Sequence, residues 1–157
     1  NRLNMIHEGT HGIQALDLLG RKVVMHEGAA LKLLGSRVRA TLDAAQDHAE
    51  LAAPARQLRS AWQTLESATR AAWSTGAPEE ALANATPYLQ AFGHVVLAWL
   101  WLDVARVCTA DDADALRQGK LAAMRYFFAY ELPKIDAWLL VVAARQPVCR
   151  EMRDDWF

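Results

Sequence analysis

The stretch that decides the fold lies in the second half of the chain: Ala91-Phe92-Gly93-His94-Val95-Val96-Leu97-Ala98-Trp99-Leu100-Trp101-Leu102-Asp103-Val104-Ala105. Its uninterrupted apolar run, residues 95–102, is shorter than the roughly 20 residues that a membrane-spanning helix needs. Gly93, His94 and Asp103 break the apolar character on either side of that run. We therefore predict a buried central helix, with His94 as a core or interface histidine that has a hydrogen-bonded partner.

Segments rich in Ala and Leu surround this stretch, with apolar residues at helical spacing and no sustained alternation of the kind that strands show. Together with the central stretch, the pattern predicts long helices over about 27–48, 54–73, 86–108, 111–133 and 135–144. A short helical turn is predicted to begin at residue 78. Pro54 suits the first turn of its helix, and Gly76 suits the position that follows a helix end. The sequence thus predicts an all-α fold, a helical bundle.

The predicted buried faces follow the same spacing. On the first two long helices they comprise Leu31, Leu34, Val38 and Leu42, and Leu58, Trp62, Leu65, Thr69 and Trp73. Aromatic side chains cluster in the second half of the chain, at Trp99, Trp101, Tyr126, Phe127, Phe128, Tyr130 and Trp138. In an all-α chain this spacing favours core packing over a pocket for a flat ligand.

Composition limits the classes of function. A length of 157 residues fits one domain, or one domain with a tail. The formal net charge of −1 gives no basic footprint for nucleic acid. Lys and Arg are dispersed, so membrane-surface binding is not indicated. Cys108 and Cys149 are far apart without metal-like spacing, which suggests reduced thiols in a cytoplasmic protein. No signal peptide is visible.

Residues 7–11, His7-Glu8-Gly9-Thr10-His11, match the H-E-x-x-H pattern of zinc hydrolases, in which two histidines bind zinc and the glutamate acts as base. Such histidines must share one face of a helix, and Gly9 between them costs roughly 1 kcal/mol of helix propensity. A third ligand is also required. Glu27 is the obvious candidate, but residues 25–29 have the character of a connection between helices. Zinc hydrolysis is therefore kept as a weak alternative.

A second interpretation makes Glu8-Gly9-Thr10 the end of a loop, with Thr10 as the N-cap of a helix beginning near His11 or Gly12. A carboxylate on a glycine-flanked loop can reach into a cleft, and a helix start favours an anionic ligand. The predicted buried face comprises Ile13, Leu16, Leu19 or Gly20, and Val23. The opposite face comprises Gln14, Asp17, Arg21 and Lys22.

Residues 8–22 resemble the E-G-T-x-G-I-Q-A-L-D-L-x-G-R-K segment near the C-terminal end of flavin-dependent acyl-CoA dehydrogenases. Residues 88–102 and 120–128 look like the extra C-terminal helical domain of a bacterial branch that includes 3-methylmercaptopropionyl-CoA dehydrogenase. The resemblance implies that residues 1–26 are the tail of the dehydrogenase helical domain, which carries the catalytic-base loop. It implies that residues 27–157 are the appended helical domain, and the start of the chain inside the motif suggests a C-terminal piece of a longer polypeptide.

The same resemblance implies FAD as cofactor and α,β-dehydrogenation of an acyl-CoA thioester as the reaction. Glu8 would be the catalytic base, and its backbone N–H would bind the thioester carbonyl. Thr10, Gly12 and Gln14 would contact FAD, Gly12 through its backbone because many members have Gln there. An electron acceptor and a homo-oligomer are the implied partners, and the isolated piece is expected to be inactive. The alternative is a non-catalytic helical module for assembly of the parent enzyme.

Overall fold

The computed structural model describes residues 10–108 and 114–156, and every regular element in these two ranges is helical. The first half of the chain forms α1 (His11–Asp17), a first π segment (Leu18–Lys22), α2 (Met25–Ala45), α3 (Ala52–Ala72) and the short α4 (Pro78–Leu82). The second half forms α5 (Ala85–Val107), α6 (Asp114–Tyr126), a second π segment (Phe127–Glu131), a 3-10 turn (Leu132–Lys134) and α7 (Ile135–Ala143). Two short elements follow, α8 (Val148–Glu151) and a 3-10 turn (Asp154–Trp156). The predicted all-α bundle is confirmed.

Buried residues spaced alternately three and four apart explain why these helices form a bundle. On α3 they are Ala55, Leu58, Trp62, Leu65, Thr69 and Ala72, and on α5 they are Tyr88, Ala91, Val95, Ala98, Leu102 and Ala105. This spacing places the side chains in one stripe along each helix, which must be covered by a neighbouring helix. Because many of these residues are alanines, the backbones can approach closely.

The central position of α5 is confirmed, since α1, α2, α3, α6 and α7 all pack against it. By length and composition alone α5 would also suffice to cross a membrane, a criterion that core helices of bundles meet as well. Hydrogen bonds join α5 to the C-terminal part of α2. The Trp99 indole donates to the Thr41 hydroxyl at 2.8 Å, and the Thr41 hydroxyl donates to the Asp103 carboxylate at 3.4 Å. The Arg106 guanidinium, about one helical turn further along α5, donates to the same Asp103 carboxylate at 2.8 Å.

The aromatic cluster is only partly core. Phe128 is buried, with 4% of its surface exposed, and four others lie half-buried against the core: Trp99, Trp101, Phe127 and Trp138. The prediction was wrong for Tyr126 and Tyr130, which are 58% and 65% exposed and lie with their rings 4.9 Å apart. Both tyrosines lie two residues from the buried Phe128, so they project from the opposite side of the helix.

The core contains a buried pair of hydroxyl groups between α3 and α5. Thr69 donates its hydroxyl proton to the Leu65 carbonyl at 2.8 Å, so Tyr88 must donate to the Thr69 oxygen, also at 2.8 Å. Burial raises the pKa of the Tyr88 phenol to about 12. Tyr88 is therefore held neutral in the folded protein at alkaline pH.

Ionisation of Tyr88 should destabilise the protein above pH 10. An unfolded tyrosine titrates near pH 10, so the neutral folded form contributes its full stabilisation below that pH. This contribution is lost as the pH rises from about 10 to about 12, at up to roughly 1.4 kcal/mol per pH unit. Denaturant unfolding at several alkaline pH values measures the loss, with Tyr88→Phe as control. An equally steep decline in Tyr88→Phe would contradict the assignment.

Residues 26–28 form a connection inside α2, as predicted for residues 25–29, and its backbone is left-handed. His26, Glu27 and Gly28 have φ values of +50°, +56° and +75°, so the regular part of α2 begins at Ala29. Glycine adopts this conformation without penalty, whereas other residues lose roughly 1–2 kcal/mol each. Packing on both sides must therefore offset the strain at His26 and Glu27.

Candidate functional site

The N-terminal edge of the bundle carries the described residues of the predicted flavin contact. Thr10 immediately precedes α1, as predicted, but its side chain makes no capping hydrogen bond to the helix backbone. Instead the Gln14 side-chain amide donates to the Thr10 hydroxyl at 3.0 Å, one helical turn away. Thr10 and Gln14 thus form one polar group on the surface. Glu8, the predicted base, and His7 lie outside the described residues.

The outer face of α1 is open and partly apolar. A Cβ atom at Gly12 would meet no other atom within 4 Å, and Gln14 is exposed beside it. Ile13 and Leu16 are 72% and 48% exposed, so their prediction as buried residues was wrong. A flat ligand or another part of a larger protein could therefore approach the backbone at Gly12 without steric hindrance.

Leu19 and Val23 of the predicted face are buried, and Ala15 rather than Ile13 or Leu16 continues that face, with the three residues spaced four apart. The first π segment accounts for the difference, since its i→i+5 hydrogen bonding widens the turn and turns a different set of residues inward. The Trp73 indole fixes the segment to α3 by donating to the Leu19 carbonyl at 3.2 Å. The edge that carries Thr10, Gly12 and Gln14 is thus anchored on the bundle.

Charge on this edge is balanced locally. The Arg21 guanidinium donates to the Asp17 carboxylate at 2.6 Å across one turn. This hydrogen bond lowers the pKa of the exposed Asp17 carboxyl, so Asp17 remains ionised. His11 is exposed at the start of α1. Among residues 10–108 and 114–156, no three His, Cys, Asp or Glu side chains are grouped as they would need to be to hold a metal ion.

A groove beside the left-handed connection is a second candidate, which the sequence did not reveal. Its volume is about 420 Å³, and its apolar walls include Val23, Leu31 and Trp73. Charged residues line it from α2 and α3: Glu27, Lys32, Glu66 and Arg70. The carboxylates and cations offset one another, so the groove has no preference for one sign of charge. The groove lies beside the left-handed backbone at 26–28, and no sequence pattern predicts three left-handed residues in succession.

His94 has the hydrogen-bonded partner that the sequence predicts. Its Nδ1 lies 2.9 Å from the Gln90 carbonyl, and its ring packs edge-on against Trp138 with centroids 4.8 Å apart. Its Nε2 also faces the Glu131 carboxylate at 3.4 Å.

The two cysteines do not pair. Cys108 follows α5 and is half-buried, whereas Cys149 is exposed on α8, and both thiols are free.

Residues 34–153 match a family model described as acetyl-CoA dehydrogenase C-terminal like. The match begins in α2, runs through α8 and excludes the N-terminal edge, so it is independent of the motif at residues 8–22. No curated protein matches the chain.

Proposed function

The chain belongs to the acetyl-CoA dehydrogenase C-terminal-like family, and we propose that it is the C-terminal helical part of an FAD-dependent acyl-CoA dehydrogenase. The observation that carries the proposal is the agreement of two separate parts of the chain. The family match covers residues 34–153, and the segment from Glu8 to Lys22 resembles the catalytic-base region of the same enzymes. In this proposal residues 1–26 are the tail of the dehydrogenase domain and residues 27–157 are the appended helical domain.

In the proposed reaction, an acyl-CoA thioester loses hydrogen from its α and β carbons. Glu8 takes the α-proton, and its backbone N–H binds the thioester oxygen, where negative charge develops. Bound FAD would supply the acceptor for the hydride that leaves the β carbon. Because one residue provides both the base and a hydrogen-bond donor, the α-carbon and the thioester oxygen are positioned together.

The N-terminal edge fits one side of a flavin site. Gly12 offers accessible backbone, and the exposed Gln14 amide lies next to the Thr10 hydroxyl. These groups can hydrogen-bond a dinucleotide, but they do not surround it. Exposed Ile13 and Leu16 on the same helix are suited to contact with the preceding part of a longer enzyme. We therefore propose that the remaining walls of the site come from that part.

A second function, assembly of the parent enzyme, is favoured by the outer face of α5. Leu97, Leu100, Val104 and Val107 are exposed on successive turns. The first three line a shallow groove of about 270 Å³, together with Trp101 and Lys120. Exposed apolar side chains in one row mark surfaces that bind other proteins. In this second proposal the bundle supports a homo-oligomer, while residues 1–26 take part in chemistry.

The flavin content of two proteins tests the proposal. Residues 1–157 alone should fold but purify without stoichiometric FAD, because they form only one open edge of the site. The full-length protein should purify with FAD, and an acyl-CoA thioester should bleach its flavin absorbance under anaerobic conditions. A full-length protein whose flavin no acyl-CoA reduces would contradict the proposed reaction. Stoichiometric flavin on residues 1–157 would contradict the shared site.

A further inference from the structure

The outward face of α5 carries a second apolar stripe, roughly opposite the one that faces the core. Gly93, Leu97, Leu100, Val104 and Val107 recur at spacings of four and three residues, the repeat with which helices pack against one another in coiled coils. The four larger side chains are 36–54% exposed, and a Cβ atom at Gly93 would meet no other atom within 4 Å. The described chain therefore leaves this outer stripe largely open.

The outer stripe suits an uncharged partner. Residues 85–102 of α5 contain no Asp, Glu, Lys or Arg. Asp103 and Arg106, further along the helix, pair with each other at 2.8 Å. A strongly charged partner would lose hydration here without gaining an opposite charge along most of the helix. A second copy of the same face is uncharged over the same length, so it meets this requirement.

The sizes of the residues along the outer stripe favour an antiparallel pair. Gly93 and Val107 lie seven residues, about 10.5 Å, on either side of Leu100. A twofold axis at Leu100 would set Gly93 of each copy against Val107 of the other. A small residue would then meet a larger one at both ends of the contact. In a parallel pair Gly93 would face Gly93, which would leave a gap at one end.

The charges that border the outer stripe agree with the same arrangement. Asp103 lies on the α2 side, where it accepts from the Thr41 hydroxyl at 3.4 Å, and its side chain is 39% exposed. Lys120 of α6 lies on the other side, at the groove of about 270 Å³, and has no ion pair with any described residue. Antiparallel twofold packing places the α2 side of each helix over the α6 side of the other. Asp103 of each copy therefore approaches Lys120 of the other.

We propose that the outer stripe of α5 is the contact surface of a homodimer, in which two copies of α5 pack antiparallel about a twofold axis at Leu100. This inference deepens the assembly role proposed above and rests on it, but it does not depend on the flavin chemistry. Helices packed in this way lie 8–10 Å apart, and Gly93 permits such an approach at both ends. The two copies of Leu100 meet at the axis, so one substitution there acts from both sides of the contact.

Sedimentation velocity of residues 1–157 at several concentrations tests the dimer, which should form reversibly. Leu100→Glu should weaken dimerisation by at least roughly ten-fold, because it sets two carboxylates against each other across the axis. Leu140→Glu is the matched control, since it makes the same change at a leucine of α7 that is 70% exposed. It should leave the dissociation constant unchanged. Circular dichroism should show the same helix content in both variants.

Disulfide formation tests the direction of the two helices. The free thiols are first removed by Cys108→Ser and Cys149→Ser. In that protein, oxidised glutathione should join two copies of Leu100→Cys. Gly93→Cys and Val107→Cys should form a disulfide only when the two variants are mixed. Two copies of Gly93 lie about 21 Å apart along antiparallel helices, which is beyond the reach of a disulfide.

The outcomes separate this inference from the functions proposed above. A monomer at every concentration would overturn both the interface and the assembly role. A dimer that survives Leu100→Glu, or that Leu140→Glu disrupts, would overturn the interface alone. A disulfide formed by Gly93→Cys by itself would overturn the antiparallel arrangement. A monomer that co-sediments with phosphatidylcholine vesicles would assign the stripe to a lipid surface instead. None of these measurements involves flavin, so they do not test the proposed reaction.

Discussion

Replacing Glu8 by glutamine in the full-length enzyme is expected to slow flavin reduction by acyl-CoA by about 10²–10⁴-fold, the usual cost of losing a general base. Glutamine preserves the shape of the side chain and the backbone N–H but cannot accept the α-proton. FAD content and acyl-CoA binding should therefore survive the change. Stopped-flow measurement of flavin absorbance, with substrate titrations by difference spectra, separates the slow chemical step from weak binding.

His11→Ala is the control that separates this proposal from the zinc alternative. His11 is exposed at the start of α1, and the flavin mechanism gives it no role, so its loss should have little effect on reduction. In a zinc site formed with His7, the same change would be as damaging as loss of Glu8, and purified protein would contain stoichiometric zinc. Near-normal flavin reduction in Glu8→Gln would mean that another residue is the base.

Truncation of Phe128 to alanine should lower the free energy of unfolding by roughly 3–5 kcal/mol, because a buried ring leaves a cavity that its neighbours fill only in part. Phe128 is 4% exposed and belongs to the common core. For a chain of this length the change corresponds to a fall in Tm of roughly 10 °C. Thermal unfolding followed by circular dichroism measures it.

Tyr130→Ala provides the matched comparison, since it removes a similar ring from the same π segment at a position that is 65% exposed. We expect a change near zero, as for most surface substitutions. Equal losses in the two variants would mean that the π segment does not direct these rings as the structure has them. A negligible loss for Phe128→Ala would mean that the ring is a surface or interface group.

The parts of the fold that follow regular periodicity could be predicted from the sequence. Leu58, Leu65 and Val38 recur at helical spacing and are buried. Pro78 begins α4, and Gly76 beyond α3 has φ +73°, as a glycine after a helix end should. These features depend on residues close together in the chain, where side-chain spacing and backbone preference point to the same structure.

The errors of prediction fall where the helices depart from regular winding. Ile13 and Leu16, predicted to be buried, are exposed just before the first π segment, and a π segment changes which residues face inward. Tertiary packing, rather than local preference, stabilises such segments, so a periodic pattern cannot reveal them. The N-terminal edge is a related case: the resemblance implies flavin contacts at Thr10, Gly12 and Gln14, but it does not predict that the Gln14 amide donates to the Thr10 hydroxyl.

The buried residues in and around the first π segment determine where this protein can be truncated. Ala15, Leu19 and Val23 belong to the same hydrophobic core as the helices of the family-matched region, and the Trp73–Leu19 hydrogen bond joins the two. A recombinant protein beginning at Glu27 would lose these three side chains and expose the apolar core surface that they cover. Exposed apolar surface of this kind promotes aggregation. We therefore expect that the smallest unit that can be expressed or fused intact begins before α1 and includes the N-terminal edge with Thr10, Gly12 and Gln14.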